Sequence, residues 1–166
     1  AFRLPLLLEA ALARGACTNP DRLRGGAGAD DPNALGLNGA ANDPASPAFF
    51  QSTVGDRVLF AVDQSTLSEE AKGVLSGQAQ WLNNNTSYSA IVEGHADEQG
   101  TREYNLALGA RRANAVQEYL ISQGVAGTRL RTVTYGKERP LEICSEEACY
   151  AKNRRAVTLL NNATGS

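Results

Sequence analysis

The feature that most constrains the fold of this chain is an alternation of short apolar runs with longer amphipathic segments between residues 54 and 160. The apolar runs contain β-branched and aromatic residues and predict four strands, at residues 56–62, 88–96, 130–136 and 154–160. The intervening segments have helical spacing and predict two long helices and one short one, at residues 67–82, 102–123 and 145–153. The predicted order is βαβαβ(α)β, which indicates an α/β (α+β) sandwich. The sheet of this sandwich includes at least one parallel strand pair.

Local signals predict the ends of the two long helices. Thr66, followed three residues later by Glu69, fits a capping box at the start of the first helix. The run Asn83–Asn85 stops that helix, and Gly124 ends the second one.

Residues 1–17 form a short apolar stretch that is interrupted by Pro5, Glu9 and Arg14. The stretch falls short of the roughly 20 apolar residues that a membrane-spanning helix requires. Two interpretations stay open: a remnant of an export or lipoprotein signal that ends in Cys17, or residues without a folded role.

Residues 18–53 are rich in Gly, Ala, Asn, Asp and Pro and show neither strand nor helix periodicity. This composition predicts a flexible linker. We therefore expect the folded domain to begin near Val54 and to occupy residues 54–161, followed by a tail at residues 162–166.

The composition excludes several functional classes. The chain has 166 residues, a formal net charge of −2, 42% hydrophobic residues and 20% charged residues, which is typical of one globular domain of ordinary size. Because there is no basic excess, nucleic acid is not expected as a partner. The sequence contains neither a phosphate-binding loop motif nor a nucleophile elbow, and no cofactor is expected.

The chain contains three cysteines, Cys17, Cys144 and Cys149. Cys144 and Cys149 lie close enough in sequence to close a small loop, and a disulfide there would fit an oxidising compartment such as the periplasm. The alternative is a pair of unpaired thiols. A metal site is not expected, because no second cluster of Cys or His supplies further ligands.

The second long helix carries two polar residues where apolar ones are expected. On a helical projection Arg112 falls near the middle of the apolar arc, one turn from Leu108, and Asn105 shares that face. A partly buried arginine is costly unless acceptors or an anion meet it. Arg112 therefore either pairs internally with a carboxylate such as Asp97 or Glu93, or meets a ligand carboxylate in a pocket.

The loop before this helix has the features of a ligand site. It runs from Gly94 to Gly100 at the carboxyl end of the second strand, where ligands tend to bind in alternating α/β sheets. Backbone N–H groups at the helix start attract an anion, and Asp97 can receive an ammonium group. A ligand with an ammonium and a carboxylate on one carbon would suit Asp97, the helix start and Arg112 together.

His95 is the one histidine of the chain. A catalytic base or a metal-binding histidine needs partners, and the sequence offers neither a nearby Cys pair nor a second obvious base. We therefore interpret His95 as a hydrogen-bonded residue at a strand end, and the chain as a protein that is not an enzyme.

Four stretches of the chain resemble motifs of the OmpA C-terminal-like domain family. The first, at residues 93–120, has the sequence EGHADEQGTREYNLALGARRANAVQEYL and resembles the peptidoglycan-binding signature of that family. The others are VGDRVLFAVDQSTLSEEA, YGKERP and AKNRRAVTLL, and all four occur in the family's order. The resemblance runs from about Val54 to Leu160 and implies an OmpA-like fold, in which a mixed sheet packs on helices. The paired Cys144 and Cys149 resemble the alphaproteobacterial branch.

The resemblance also implies a ligand and its binding residues. Members of this family hold the peptide stem of peptidoglycan non-covalently by gripping its meso-diaminopimelate. By this resemblance Asp97 takes the ligand's ammonium, Arg112 takes its carboxylate in a charge-assisted, bidentate geometry, and Asn105 supports the loop or the ligand. Asn153 and Arg155 match the closing motif of the family, with an expected structural role. The residues expected at the rim of the pocket are Phe60, Asp63, Leu67, His95, Gly100 and Thr101.

Lipid-anchored members of the family lie at the periplasmic face of the outer membrane of Gram-negative bacteria. They bind the β-propeller protein TolB in a system that serves envelope integrity and cell division, and their mature chain starts at a lipidated Cys. Cys17 lies where that residue is expected, although Arg14 occupies a position that is normally Leu. The resemblance thus implies an outer-membrane lipoprotein that binds the cell wall.

Two other functions stay open: an OmpA-like wall-binding module of another envelope protein, and a peptide-stem hydrolase that uses His95 and Asp97. For a wall anchor we expect Arg112→Ala to weaken wall binding while the fold stays intact, and Asp97→Ala to weaken it more than Glu98→Ala. Reduction of a Cys144–Cys149 bond should cost some stability but little affinity, because that loop lies away from the motif in sequence.

Overall fold

The structure, a computed structural model, describes residues 41–162. Its elements in chain order are α1 (Pro47–Phe49), a π-helical turn (Phe50–Gly55), β1 (Arg57–Leu59), α2 (Glu69–Asn84), β2 (Tyr88–His95), α3 (Arg102–Ser122), a 3₁₀ turn (Gly127–Arg129), β3 (Leu130–Gly136), α4 (Glu147–Asn153) and β4 (Arg155–Asn162). From β1 onward this is the predicted βαβαβ(α)β order. Within the described residues, no helix combines the length and the apolar character that crossing a membrane requires.

The four strands form one sheet in the order β1-β4-β2-β3. β2 and β3 are parallel, with Val92 opposite Thr132, and α3 makes the crossover between them. β4 is antiparallel to both of its neighbours, and it places Thr158 opposite Val92. The mixed sheet and its parallel pair confirm the predicted fold class. They also bring the carboxyl ends of β2 and β3 to one edge of the sheet.

Helices α2 and α3 pack on the sheet and on each other. Along β2, Ala90, Val92 and Gly94 are buried while the residues between them are half-buried, so one face of the strand contributes to the core. The burial of apolar side chains from both layers is the main source of stability. The helices contribute Leu75, Trp81, Leu82, Val116 and Leu120 to this core.

We expected the folded domain to begin near Val54, but the folded part of the chain begins earlier. Phe50 is 0% exposed and belongs to the core, and its ring centroid lies 5.1 Å from that of Trp81. The indole N–H of Trp81 donates a hydrogen bond to the carbonyl of Pro44 at 2.8 Å. The predicted linker therefore ends earlier than expected, because composition alone does not reveal that Phe49 and Phe50 pack on the core.

Three of the regions predicted from sequence lie wholly or partly outside the described residues. They are residues 1–17 with Cys17, the first part of the linker at residues 18–40, and the last residues of the tail at 163–166.

Two local features differ from prediction. β1 ends at Leu59, earlier than expected, and the chain then turns at Asp63, whose φ is +57°. Ser68 rather than Thr66 caps α2, and its hydroxyl accepts a hydrogen bond from the N–H of Ala71 at 3.1 Å. The capping box predicted at Thr66 was therefore placed two residues too early, since Ser and Thr are both good cap residues.

The close approach of α3 to β2 depends on two glycines. A Cβ atom at Gly94 would overlap the backbone carbonyl of Gly109, and a Cβ atom at Gly109 would overlap the side chain of Thr134. Glycine alone leaves room for such a contact. The contact holds α3, with Asn105 and Arg112, against the end of β2.

We predict that Gly94→Ala lowers the free energy of unfolding by about 3 kcal/mol or more, because α3 must move away from the sheet. Gly73→Ala is the matched control, since an added Cβ there meets nothing within 4 Å. That change should raise stability by up to about 1 kcal/mol. Urea unfolding followed by Trp81 fluorescence measures both, and equal stability of the two variants would contradict the close contact.

Candidate functional site

Arg112 is fully buried, at 0% exposure, and its guanidinium donates to three backbone carbonyls. Nε binds the carbonyl of Gln64 at 2.8 Å, Nη1 that of His95 at 2.8 Å and Nη2 that of Ala61 at 3.1 Å. The guanidinium carbon also lies 5.2 Å from the ring centroid of Phe60. One side chain of α3 therefore holds the loop that follows β1 against the end of β2.

Arg112 has no carboxylate partner among the described residues. The internal ion pair with Asp97 or Glu93, one of the two alternatives from sequence, is not formed. Burial lowers the pKa of Arg112 to about 10, and the charge of Asp97 opposes that shift. The guanidinium thus stays charged at neutral pH, and the groups that bind it directly are carbonyl dipoles.

Asp97 lies in the loop between β2 and α3 and is buried as well, at 7% exposure. Its Oδ1 accepts a hydrogen bond from the N–H of Gln99 at 3.0 Å, a local turn that Asp side chains favour. Its Oδ2 lies 3.3 Å from Nη1 of Arg154. One oxygen is therefore held by the loop itself and the other by the residue that precedes β4.

Arg154 was missed in the sequence analysis, and it joins three parts of the site. Its Nε donates to the carbonyl of Phe60 at 3.0 Å, its Nη1 faces Asp97, and its Nη2 donates to Glu147 at 2.6 Å. The hydrogen bond with Glu147 is the main cause that raises the pKa of Arg154. The available signal was the pair Arg154 and Arg155 beside an apolar strand, where two cations require buried acceptors.

Asn153 and Arg155 bind backbone groups. Oδ1 of Asn153 accepts from the N–H groups of Leu141 and Glu142, at 2.7 Å and 3.1 Å. Arg155 donates to the carbonyl of Arg139 at 3.2 Å. These contacts fasten the segment between β3 and β4, which supports the structural role expected for both residues.

Asn105 and Thr101 hold the loop that carries Asp97. Asn105 is 1% exposed, and its Nδ2 donates to the carbonyl of Gln99 at 2.9 Å. Thr101 accepts the hydrogen bond that caps the start of α3. Gly100, between these anchors, has a φ of +99°, a conformation that favours glycine. These contacts fix the end of the loop that leads into α3.

Phe60 and Asp63 both contact α3, through Arg112 and Tyr104 respectively. The ring of Phe60 lies against the guanidinium of Arg112. Asp63 is exposed and accepts a hydrogen bond from the hydroxyl of Tyr104 at 3.3 Å, which links the loop after β1 to α3. Leu67 is half-buried and packs against the hydrophobic core.

His95 is buried, at 2% exposure. Neither of its ring nitrogens has a hydrogen-bond partner among the described residues, and the nearest oxygen of Glu93 is 3.7 Å from Nε2. The expected hydrogen bond is therefore absent, and the ring instead packs against that of Tyr135, with 5.5 Å between centroids. Burial, followed by the charges of Arg155 and Arg139, lowers the pKa of His95 to about 4, so the ring is neutral at neutral pH.

The predicted disulfide Cys144–Cys149 is formed, with 5.7 Å between the Cα atoms. The sequence separation suggested that the loop closed by this disulfide lies away from the site. The structure instead places it next to the site. Ser145 and Tyr150 donate hydrogen bonds from their hydroxyls to the carboxylate of Glu98, the neighbour of Asp97. The disulfide loop therefore contacts the loop between β2 and α3 directly.

The site thus contains a buried guanidinium, that of Arg112 on α3, and a buried carboxylate, that of Asp97 in the loop before α3. Within residues 41–162 no cluster of His, Cys, Asp and Glu could hold a metal ion. An arrangement of two fixed, opposite charges suits the binding of a ligand that carries both charges itself.

Known proteins resemble this chain in both sequence and fold. The OmpA family matches residues 59–154. The peptidoglycan-associated lipoprotein of Mesorhizobium japonicum is 55% identical over 130 residues, which cover 78% of this chain and 77% of that protein. The peptidoglycan-associated lipoprotein of Brucella melitensis is 46% identical over 160 residues, which cover 96% and 92%. The crystal structure of the peptidoglycan-associated lipoprotein from Burkholderia pseudomallei matches with a TM-score of 0.65 and 36% identity, over 73% of this chain and 98% of that one.

The fold and the match over residues 59–154 define the chain as a member of the OmpA family, as predicted from its motifs. Within that family it belongs with the peptidoglycan-associated lipoproteins, because relatives of that name share 46–55% of its residues over most of its length.

Arg112→Ala should destabilise the domain by about 3 kcal/mol or more, contrary to the expectation from sequence that the fold stays intact. The substitution leaves a cavity and removes the donor from three backbone carbonyls, of which the bond to His95 is buried. The control is Arg111→Ala, an exposed neighbour, which should stay within about 0.5 kcal/mol of the native protein. Denaturant unfolding decides, and equal midpoints for the two variants would refute the anchoring role.

The stability of the domain should fall as the pH drops from about 6.5 to about 4. The folded state keeps His95 neutral down to a pKa of about 4, whereas the unfolded chain protonates it near 6.5. The unfolded state therefore binds the extra proton, at a cost to folding of up to about 3 kcal/mol. His95→Gln should flatten this part of a pH series of urea unfolding curves, and an unchanged slope would count against the shift.

Proposed function

We propose that this protein is a non-catalytic anchor that binds peptidoglycan through the meso-diaminopimelate of the peptide stem. It lies at the periplasmic face of the outer membrane, tethered by a lipid on Cys17, and acts in the Tol–Pal system with TolB. The proposal is supported by relatives that bear the name peptidoglycan-associated lipoprotein. The lipid tether and the partner TolB rest on the family resemblance, since Cys17 lies outside the described residues.

The observation that carries the ligand assignment is the buried cation of Arg112. A charge without a carboxylate partner in a desolvated place is stabilised by any anion that can reach it. The bonds to protein carbonyls use three of the five N–H groups of the guanidinium. The remaining two N–H groups are the donors available to a ligand carboxylate.

The second half of the ligand is an ammonium group for Asp97. This carboxylate is fixed by Gln99 and Arg154, so little conformational entropy is lost on binding. The far end of meso-diaminopimelate carries an ammonium and a carboxylate on one carbon, which matches a fixed carboxylate beside a fixed guanidinium. Asn105 contributes by holding the loop through the carbonyl of Gln99.

The rival function, hydrolysis of the peptide stem by His95 and Asp97, finds no support in the geometry. The ring of His95 is 2% exposed and packs against Tyr135, so it is enclosed rather than presented to a substrate. Binding without turnover is therefore the function that these residues support best.

Asp97→Asn should weaken co-sedimentation with purified sacculi that contain meso-diaminopimelate by more than about tenfold, since one charge-assisted hydrogen bond is lost. The control is Glu118→Gln, an exposed carboxylate near the other end of α3, which should bind like the native protein. Thermal unfolding of each variant separates lost binding from lost structure. Equal binding by a folded Asp97→Asn variant would overturn the ligand role.

A further inference from the structure

The ligand loop, residues 96–101 with Asp97, is in contact with the disulfide segment, residues 141–150, which contains the bond Cys144–Cys149. Oε1 of Glu98 accepts hydrogen bonds from the hydroxyl of Ser145 at 2.5 Å and from the hydroxyl of Tyr150 at 2.9 Å. Ser145 lies inside the disulfide ring, and Tyr150 follows its second cysteine. One carboxylate oxygen thus receives two donors from a single short segment.

A second connection runs from the same segment to Asp97 itself. Glu147, also inside the ring, accepts a hydrogen bond from Arg154 at 2.6 Å. Arg154 in turn lies 3.3 Å from Oδ2 of Asp97. The disulfide segment therefore contacts the ligand loop at two consecutive residues, Glu98 directly and Asp97 through Arg154.

The disulfide segment has little else to order it. Residues 141–150 contain no fully buried side chain, and Ile143 is 91% exposed. α4 has only seven residues and lacks a side-chain cap at its start, and so short a helix is not stable by itself. Apart from its bonds with Glu98 and Arg154, its order therefore depends on the covalent ring and on the hydrogen bonds that Asn153 accepts from and donates to the base of the segment.

We propose that the disulfide-closed segment positions the ligand loop, with Glu98 and Tyr150 as positioning residues for the wall ligand. The ring holds Ser145 and Tyr150 so that they fix Glu98, and Glu98 keeps the adjacent Asp97 in place. Without the ring, the loop spends a smaller fraction of time in the binding geometry, and the apparent affinity falls by that fraction. This inference rests on the proposed function, and it assigns to the disulfide a role in affinity that the sequence did not suggest.

The first test compares the oxidised native protein with the double variant Cys144→Ser/Cys149→Ser, by calorimetric titration with a soluble muropeptide that carries meso-diaminopimelate. We expect the dissociation constant to rise roughly five- to tenfold in the double variant. Glu98→Ala should weaken binding to a similar extent, whereas Glu98→Gln keeps an acceptor oxygen and should recover part of the affinity. The matched control is Glu146→Gln, in the same ring, whose side chain makes no cap bond.

A thermodynamic cycle separates positioning from a general loss of structure. If the disulfide acts through Glu98, Glu98→Ala should weaken the native protein but add little to the Cys144→Ser/Cys149→Ser variant. Additive losses, or equal affinities for oxidised and serine-substituted proteins, would overturn the positioning role while leaving the proposed function intact. No binding by the oxidised native protein would overturn both. Amide exchange of residues 97–101, measured without ligand, should be faster in the serine variant.

Discussion

The buried guanidinium of Arg112 is the interaction on which the rest of the site depends. It joins three backbone carbonyls from two segments that are distant in sequence, the loop after β1 and the end of β2. Backbone carbonyls are uncharged acceptors, so the hydrogen bonds that hold the arginine do not neutralise its positive charge. The same side chain therefore fixes the local fold and leaves a positive centre that an anionic ligand group can satisfy.

Two kinds of interaction position the charged residues of the site: close packing positions Arg112, and hydrogen bonds position Asp97. Gly94 and Gly109 let α3 lie close to β2, so the position of Arg112 follows from a contact that tolerates no side chain. Asp97 lies on a loop and has no such backing, and it depends instead on hydrogen bonds from Gln99 and Arg154. The position of Arg112 is thus determined by packing in the core. The position of Asp97 is determined by a polar network that includes the disulfide segment. Changes in that network should lower the affinity for the ligand more than they lower the stability of the fold.

Much of this could be predicted from sequence because it is local or periodic. β3 has the predicted bounds, α3 begins at the predicted residue, and the close pair of cysteines forms its bond. The helical projection also identified Arg112 as a residue in need of partners, but it could not name them. Every residue has a carbonyl, so nothing in the sequence marks Ala61 or Gln64 as acceptors. The roles of Arg154 and Glu98 were missed for the same reason, because both depend on contacts between segments far apart in the chain.

The central claim is that Asp97 and Arg112 together recognise a carbon that bears both an ammonium and a carboxylate. The most direct test is an NMR titration of the native protein with two muropeptides that differ only in meso-diaminopimelate or lysine. Lysine keeps the side-chain amine and lacks the terminal carboxylate. Saturable shifts at residues 97–112 with the first muropeptide, and none with the second at equal concentration, are the expected result. Equal binding of both muropeptides, or binding of neither, would contradict the paired recognition and leave Arg112 as a structural residue.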